Sequence, residues 1–175
     1  MDVIELIKPT VEYKQAVIEY RDEFLEAHET IHGSGGLDRL ASFEEWLALC
    51  VDSEDETTVS AGMVPATQYL AVRSSDGKVV GMISVRHRLN DYLKREGGHI
   101  GYSVRKSERR KGYASQMLGA ALEACGGLGI SRVLVTCDSD NLGSAGVIKA
   151  NGGLYETQVE RADGGKLDRY WITVS

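Results

Sequence analysis

Apolar positions along the chain switch between helical and strand periods, and the switches mark out its elements. VIELIK (residues 3–8) reads as a strand that Pro9 stops. Thr10 is placed to cap a long helix, because Tyr13, Val17, Tyr20, Phe24, Ala27 and Ile31 alternate steps of four and three and form one buried stripe. Glu12, Glu19, Asp22, Glu23 and Glu26 fall off that stripe, and Gly33, Gly35 and Gly36 are expected to end the helix. A second helix opens near Ser42, with Glu44 and Glu45 in its first turn and Phe43, Trp46, Leu47 and Cys50 on its apolar side. After a polar loop at 52–57, QYLAVRS (68–74) and KVVGMISVRHRL (78–89) predict a hairpin turning at Asp76–Gly77.

Residues 90–98 form a short excursion, after which HIGYSVR (99–105) is β-branched and aromatic and reads as a strand. It runs into the stretch on which the rest is organised, VRKSERRKGYASQMLGAALEAC (104–125). Its second half is helical, with Ala114, Met117, Leu118, Ala121, Leu122 and Cys125 at spacings of three and four. RVLVTC (132–137) is a buried-type strand, residues 138–141 can cap a helix running to Ala150, and Asn151, Gly152 and Gly153 stop it. LYETQVE and KLDRYWITV are two last strands joined across 162–165. The succession predicts an α/β fold, with a mixed, mostly antiparallel central sheet of about six or seven strands flanked by helices. Residues 1–175 are read as one domain.

Composition narrows the function. Hydrophobic residues make up 42% and net charge is −6, from 20 basic and 26 acidic residues. A nucleic-acid partner is not expected, since the basic residues are local rather than spread over a surface. No apolar run reaches membrane-spanning length, and MDVIELIKPT lacks a signal-peptide core, so a cytoplasmic protein without a membrane partner is expected. Cys50, Cys125 and Cys137 are odd in number and lack C-x-x-C spacing, which suits buried reduced thiols.

A strand leading through a basic, glycine-containing turn into a helix suits an anion, because the first helical N–H groups lack partners and the macrodipole is positive there. Arg109, Arg110 and Lys111 precede Gly112, Tyr113 and Ala114, and Gly112 lets a ligand approach the backbone. The pattern Arg-x-x-Gly-x-Ala at Arg109, Gly112 and Ala114, after Gly-Tyr-Ser-Val-Arg, resembles the hallmark of the GNAT superfamily of acetyl-CoA-dependent N-acetyltransferases. No NTPase P-loop pattern occurs. Downstream, Asn141-x-x-Ser144, Val147-Ile148 and Asn151-Gly152-Gly153 resemble that family's second motif, where a helix lies beside the pantetheine arm.

The resemblance implies acetyl-CoA as co-substrate, no metal, and transfer of an acetyl group to a small amine or a peptide by direct attack in a ternary complex. It implies cofactor contacts at Val104, Arg109, Arg110, Lys111, Gly112, Tyr113, Ala114, Asn141 and Ser144. It also implies a strand bulge that frees oxyanion donors at Tyr102 to Val104. The base commonly lies just before Ile-Gly-Tyr, where this chain has His99, whose unperturbed pKa near 6.5 suits neutral pH. His87, with Arg86 and Arg88 beside it, is a second choice for the base or for anion contacts. Many members carry a tyrosine seven residues after the motif asparagine as proton donor; Ile148 stands there, Tyr155 is nearby in sequence, and the general acid is unassigned. The missing tyrosine leaves a non-catalytic acyl-CoA-binding module as an alternative, and a homodimer is one open assembly state.

A rival pattern lies upstream. His28-Glu29-Thr30-Ile31-His32, extended by Gly35 and Asp38, resembles a metallopeptidase zinc site, in which two histidines one helical turn apart hold the metal. Only 27 residues precede it, too few for the substrate-binding sheet of those enzymes, so His28 and His32 are instead expected to line the acceptor groove.

Overall fold

The computed structural model describes residues 1–175. Its strands are β1 (Ile4–Ile7), β2 (Ala66–Arg73), β3 (Val79–Arg86), β4 (Ile100–Val104), β5 (Arg132–Asp138), β6 (Leu154–Glu160) and β7 (Lys166–Thr173). The helices are α1 (Lys14–Glu26), α2 (Phe43–Asp52), α3 (Tyr113–Gly127) and α4 (Leu142–Ala150). The α/β class and the count of seven strands match expectation, whereas the single mixed sheet does not. Two sheets form, β1-β2-β3-β4 and β5-β7-β6, and every ladder in them is antiparallel.

The division falls between β4 and β5. Those strands meet at one residue: the His99 N–H donates to the Leu134 carbonyl at 2.8 Å, and the Leu134 N–H donates to His99 Nδ1 at 2.9 Å. Gly98 allows this approach, since a Cβ on it would lie 2.6 Å from the Leu134 oxygen. Further along, the Thr136 hydroxyl donates to the Glu96 carbonyl at 2.6 Å, so β5 is tied to the single π-type turn Leu93–Gly97 and leaves β4. The expected bulge is absent from β4, whose register with β3 runs without a shift from Gly81↔Val104 to Val85↔Ile100. Backbone bonds at Arg86–His99 and Arg105–Val80 set the parity of that ladder. The peptide groups of Ile100, Tyr102 and Val104 therefore point away from β3, towards the gap.

Two apolar clusters cover the faces. One packs α3 and α4 against strands of both sheets through Met117, Leu118, Ala121, Ile148, Ile83 and Val135. The other packs α1 and α2 against β2 and β3 through Val17, Tyr20, Phe24, Trp46, Leu70 and Met82. Strand β3 is buried along nearly its whole length, which explains its unbroken apolar run.

Helix α1 differs from expectation at both ends. A 3-10 turn, Val11–Tyr13, precedes it and Thr10 makes no side-chain cap. It stops at Glu26, because His28 takes a left-handed φ of 54° and closes a Schellman motif, with the His28 N–H on the Leu25 carbonyl and the Glu29 N–H on that of Phe24. Ile31 is buried as expected, but from a loop. That loop crosses β4 with Gly33 against Gly101, where a Cβ would come within 2.1 Å of the Gly101 oxygen. The Gln68 amide holds it through the Gly33 carbonyl at 2.8 Å, and the Trp46 indole through the Ser34 carbonyl at 2.6 Å.

Candidate active site

The turn before α3 presents backbone rather than side chains. Arg110 and Gly112 both have positive φ, 65° and 83°, and between Arg110 and Ser115 no backbone N–H donates within the chain. These amides and the helix dipole form an anion cradle at a glycine that can be approached closely. Two of the three neighbouring cations are already engaged. Arg109 donates to the Val104 carbonyl at 2.9 Å, pairs with Glu29, and lies over the Phe24 ring at 5.7 Å. Lys111 donates to Glu108 at 2.8 Å. Arg110 is exposed and has no acidic partner, so it is the cation of the three left for a ligand. The Tyr113 ring is buried against Arg73 at 5.9 Å, and its backbone alone faces the cradle.

The carboxylates that fix this turn carry no signal in the sequence. Glu108 is buried and accepts from Arg73, Lys78 and Lys111 at 2.8, 2.7 and 2.8 Å. Burial works to raise its pKa, but the bonds from Lys111 and Lys78, with Arg73, outweigh it and bring the carboxyl down to about 2. From α1, Glu23 accepts from Arg105 at 2.6 Å and from the Ser107 N–H at 2.8 Å. By its period Glu23 is only an off-stripe surface position, since its partners lie more than eighty positions away.

Two cavities flank the free edge of β4. The larger, about 870 Å³, runs from the cradle past Val104, Ala114 and the first turns of α4. The smaller, about 240 Å³, lies between β4, β5 and the Leu93–Gly97 turn. They share His32, Tyr102, Asn141 and Ser144 in their walls. Asn141 caps α4, its side-chain oxygen accepting from the Ser144 N–H at 3.0 Å. The Ser144 and Tyr102 hydroxyls stand 2.7 Å apart. Burial pushes the Tyr102 phenol up to about 12, partly offset by that bond. The structure thus brings Tyr102, Val104, Asn141 and Ser144 together with the cradle, as the sequence placed them.

The histidines are placed otherwise. His99 is buried with Nδ1 occupied by the Leu134 N–H, and burial, then the nearby Arg86 charge, lower its pKa to about 4. A ring so held is a weak proton acceptor and joins the two sheets instead. The His87 ring bonds the Thr67 hydroxyl at 2.8 Å and lines neither cavity. His28 sits beyond the end of α1 and also lines neither, while His32 lines both. With His28 outside the helix, the two imidazoles do not share a helical face, and no three His, Cys, Asp or Glu side chains converge as metal ligands. Ile148 is fully buried in the core, so the position that usually carries the acid is a packing position here. Tyr155 is exposed and packs edge-on to Tyr170 at 5.7 Å, away from both cavities.

A sheet divided beside a glycine turn at a helix start, with the cleft continuing into the turn, makes a groove for an elongated ligand with an anionic end. The sequence model of the Acetyltransferase (GNAT) domain matches residues 12–153. The chain belongs to that family; it is an acyltransferase whose co-substrate is acetyl-CoA. A search of curated protein sequences finds no match. Among solved structures, Mycobacterium smegmatis RimJ in complex with CoA-disulfide superposes with a TM-score of 0.72 at 20% identity, over 98% of this chain and 82% of that one. The Salmonella typhimurium acetyl transferase that modifies the N-terminal serine of ribosomal protein L7/L12 gives 0.68 at 20%, over 98% and 95%. The Microcin C7 self-immunity acetyltransferase MccE, with acetyl-CoA and AMP, gives 0.64 at 16%, over 98% and 92%. At these identities the likeness shows the fold.

Proposed function

We propose that residues 1–175 act as one N-acetyltransferase domain that moves the acetyl group of acetyl-CoA to a primary amine by direct attack, with both substrates bound at once. The observation that carries this reading is the run of unpaired amides from Arg110 to Ser115, which opens into a cavity ending at the Tyr102–Ser144 hydroxyl pair. The amides would hold the pyrophosphate, and the pantetheine arm would lie beside Val104 and Asn141, with the acyl carbon near Tyr102. The acceptor enters by the smaller cavity.

In the reaction a carbon–nitrogen bond forms and the carbon–sulfur bond breaks. The N–H groups of β4 that point into the gap stabilise negative charge on the acetyl oxygen. The departing thiolate takes a proton from Ser144, which Tyr102 orients and can resupply through the 2.7 Å contact. That assignment fills the role left open by Ile148. The amine loses its proton through water to Glu96, whose largely buried carboxylate lines the smaller cavity and whose nearest cation, Arg95, is 3.7 Å away. This displaces His99 as base. A cytoplasmic setting fits the three unpaired, buried cysteines.

Calorimetry and turnover together test the reading. A side chain at position 112 is strained at φ 83° and its Cβ would lie 2.8 Å from the Met1 sulfur, so Gly112→Val is expected to distort the cradle and weaken acetyl-CoA binding at least tenfold, and Lys111→Ala less. Ser144→Ala is expected to keep that affinity and to lower kcat about a hundredfold. Intact affinity in Gly112→Val would overturn the placement. Tight binding with no transfer to any amine would favour a binding module.

A further inference from the structure

Among the arginines that are buried or half-buried, Arg86 alone has no carboxylate partner. Arg21, Arg73, Arg105, Arg161 and Arg169 each pair with an Asp or Glu within 3.2 Å, whereas Arg39, Arg110 and Arg132 are exposed. Arg86 ends β3 and sends its guanidinium over Gly101 into the wall of the smaller cavity, where a Cβ on Gly101 would lie 3.4 Å from Nη2. Nη1 donates to the Gly97 and Gly98 carbonyls at 3.0 and 3.3 Å, and Nε and Nη2 have no acceptor in the chain. Burial works against the charge and lowers the pKa, with the Tyr92 hydroxyl partly opposing it.

The other charges facing this cavity do not cancel it. Asp138 is taken by Arg161 at 2.6 Å, and Glu96 has Arg95 as its nearest cation at 3.7 Å. The cavity therefore offers one unpaired cation and one weakly paired anion. A half-buried guanidinium with a free donor edge has the geometry for a two-pronged bond to a carboxylate. The chemistry of the acceptor decides what can bring one. About 240 Å³ has room for a free amino acid, whose own α-carboxylate lies within reach of its amine, whereas the first residue of a peptide brings no such carboxylate.

We infer that the acceptor is a small amino carboxylate, its carboxylate held by Arg86 and its amine turned towards Glu96 and the Tyr102–Ser144 pair. This rests on the acetyl-transfer reading and names the substrate class of that site. Arg86 is a specificity-determining binding residue in it: it selects the acceptor and takes no part in the bond changes.

Matched acceptors test the inference on the full chain with acetyl-CoA. A set of free amino acids is compared with the same amino acids as carboxamides, reading free thiol release. For the best acceptor of the set, wild type is expected to favour the acid over its amide by about tenfold to a hundredfold in kcat/KM, the worth of hydrogen bonds to a charged group. Arg86→Met should bring that ratio close to one, and Arg86→Lys should restore part of it. Because Arg86 also holds two carbonyls, each variant is checked for an unchanged thermal midpoint, and the wild-type ratio stands without them. Equal rates for acids and amides overturn the inference, as does a preference that survives Arg86→Met. A peptide whose second residue is acidic, turned over well while every free amino acid fails, overturns it in favour of a peptide acceptor. If acetyl-CoA binds with the expected affinity and no acceptor of any kind reacts, both the inference and the transfer reading fall; if acetyl-CoA does not bind, the cradle placement fails first.

Discussion

At position 99 the imidazole accepts the Leu134 N–H at Nδ1 and ties the two sheets together. A histidine before Ile-Gly-Tyr suggests a base, and nothing in the sequence tells that Leu134, thirty-five residues on, donates to its ring. The structural role has its own pH signature. With a folded pKa of about 4 against an unfolded value near 6.5, the unfolded chain binds the proton more tightly. His99 therefore contributes stability in full above about pH 6.5, and that contribution is lost as pH falls towards 4, a change on the order of 3 kcal/mol. His99→Asn keeps an acceptor for the Leu134 N–H and removes the titration. Urea unfolding is expected to show it within about 1 kcal/mol of wild type at pH 7.5, with a flatter decline between pH 6.5 and 4. An equally steep decline in the variant would place the titrating group elsewhere. Val104, Asn141, Ser144 and the Arg110–Ala114 backbone could be read ahead of the structure, because a local motif fixes them. Glu23, Glu29 and Glu108 could not, since their value lies in long-range partners.

Among the elements, the end of α1 shows how a correct pattern misleads. The apolar stripe continues through Ala27 and Ile31, but the helix stops at Glu26 with His28 where a glycine is usual, so no stop signal was visible. Past His28 the chain becomes a loop that lines both cavities through His32 and lies on β4 through Gly33. Gly33 has no room for a methyl group: φ is +67° and the Gly101 oxygen would be 2.1 Å away, backbone against backbone. Gly33→Ala is expected to cost at least about 2 kcal/mol and to lower kcat/KM for the acceptor, since the wall must move. Thermal melts and steady-state rates check this; Gly36→Ala, in the same loop but facing the Arg39 side chain, should cost less. The hairpin and the second helix, by contrast, formed where Asp-Gly and the Ser42 cap said they would.

For the whole molecule, about six or seven strands and their order of appearance are readable in the sequence, and their partition is not. That β4 and β5 part after one residue depends on Thr136 binding the Glu96 carbonyl, a contact forty residues long. The cradle is likewise held by distant parts, with Glu108 linking the β2–β3 hairpin to the turn before α3. Its carboxylate is depressed to about 2 from an ordinary 4.5, so it contributes stability above about pH 4.5 and loses it as pH falls towards 2. Glu108→Gln is expected to cost about 3 kcal/mol, lowering Tm by about 6–12 °C at pH 7. The gap between variant and wild type should close as the pH is taken below 4.5. A gap that stays constant to pH 3 would assign the loss to packing.

The division of the sheet bears on how a long ligand reaches the groove. No ladder crosses from β4 to β5 beyond the His99–Leu134 pair. The two halves are joined by one imidazole, the Thr136 hydroxyl and a shared apolar core instead of a ladder, which leaves the groove between them open along its side to a long, flexible thioester.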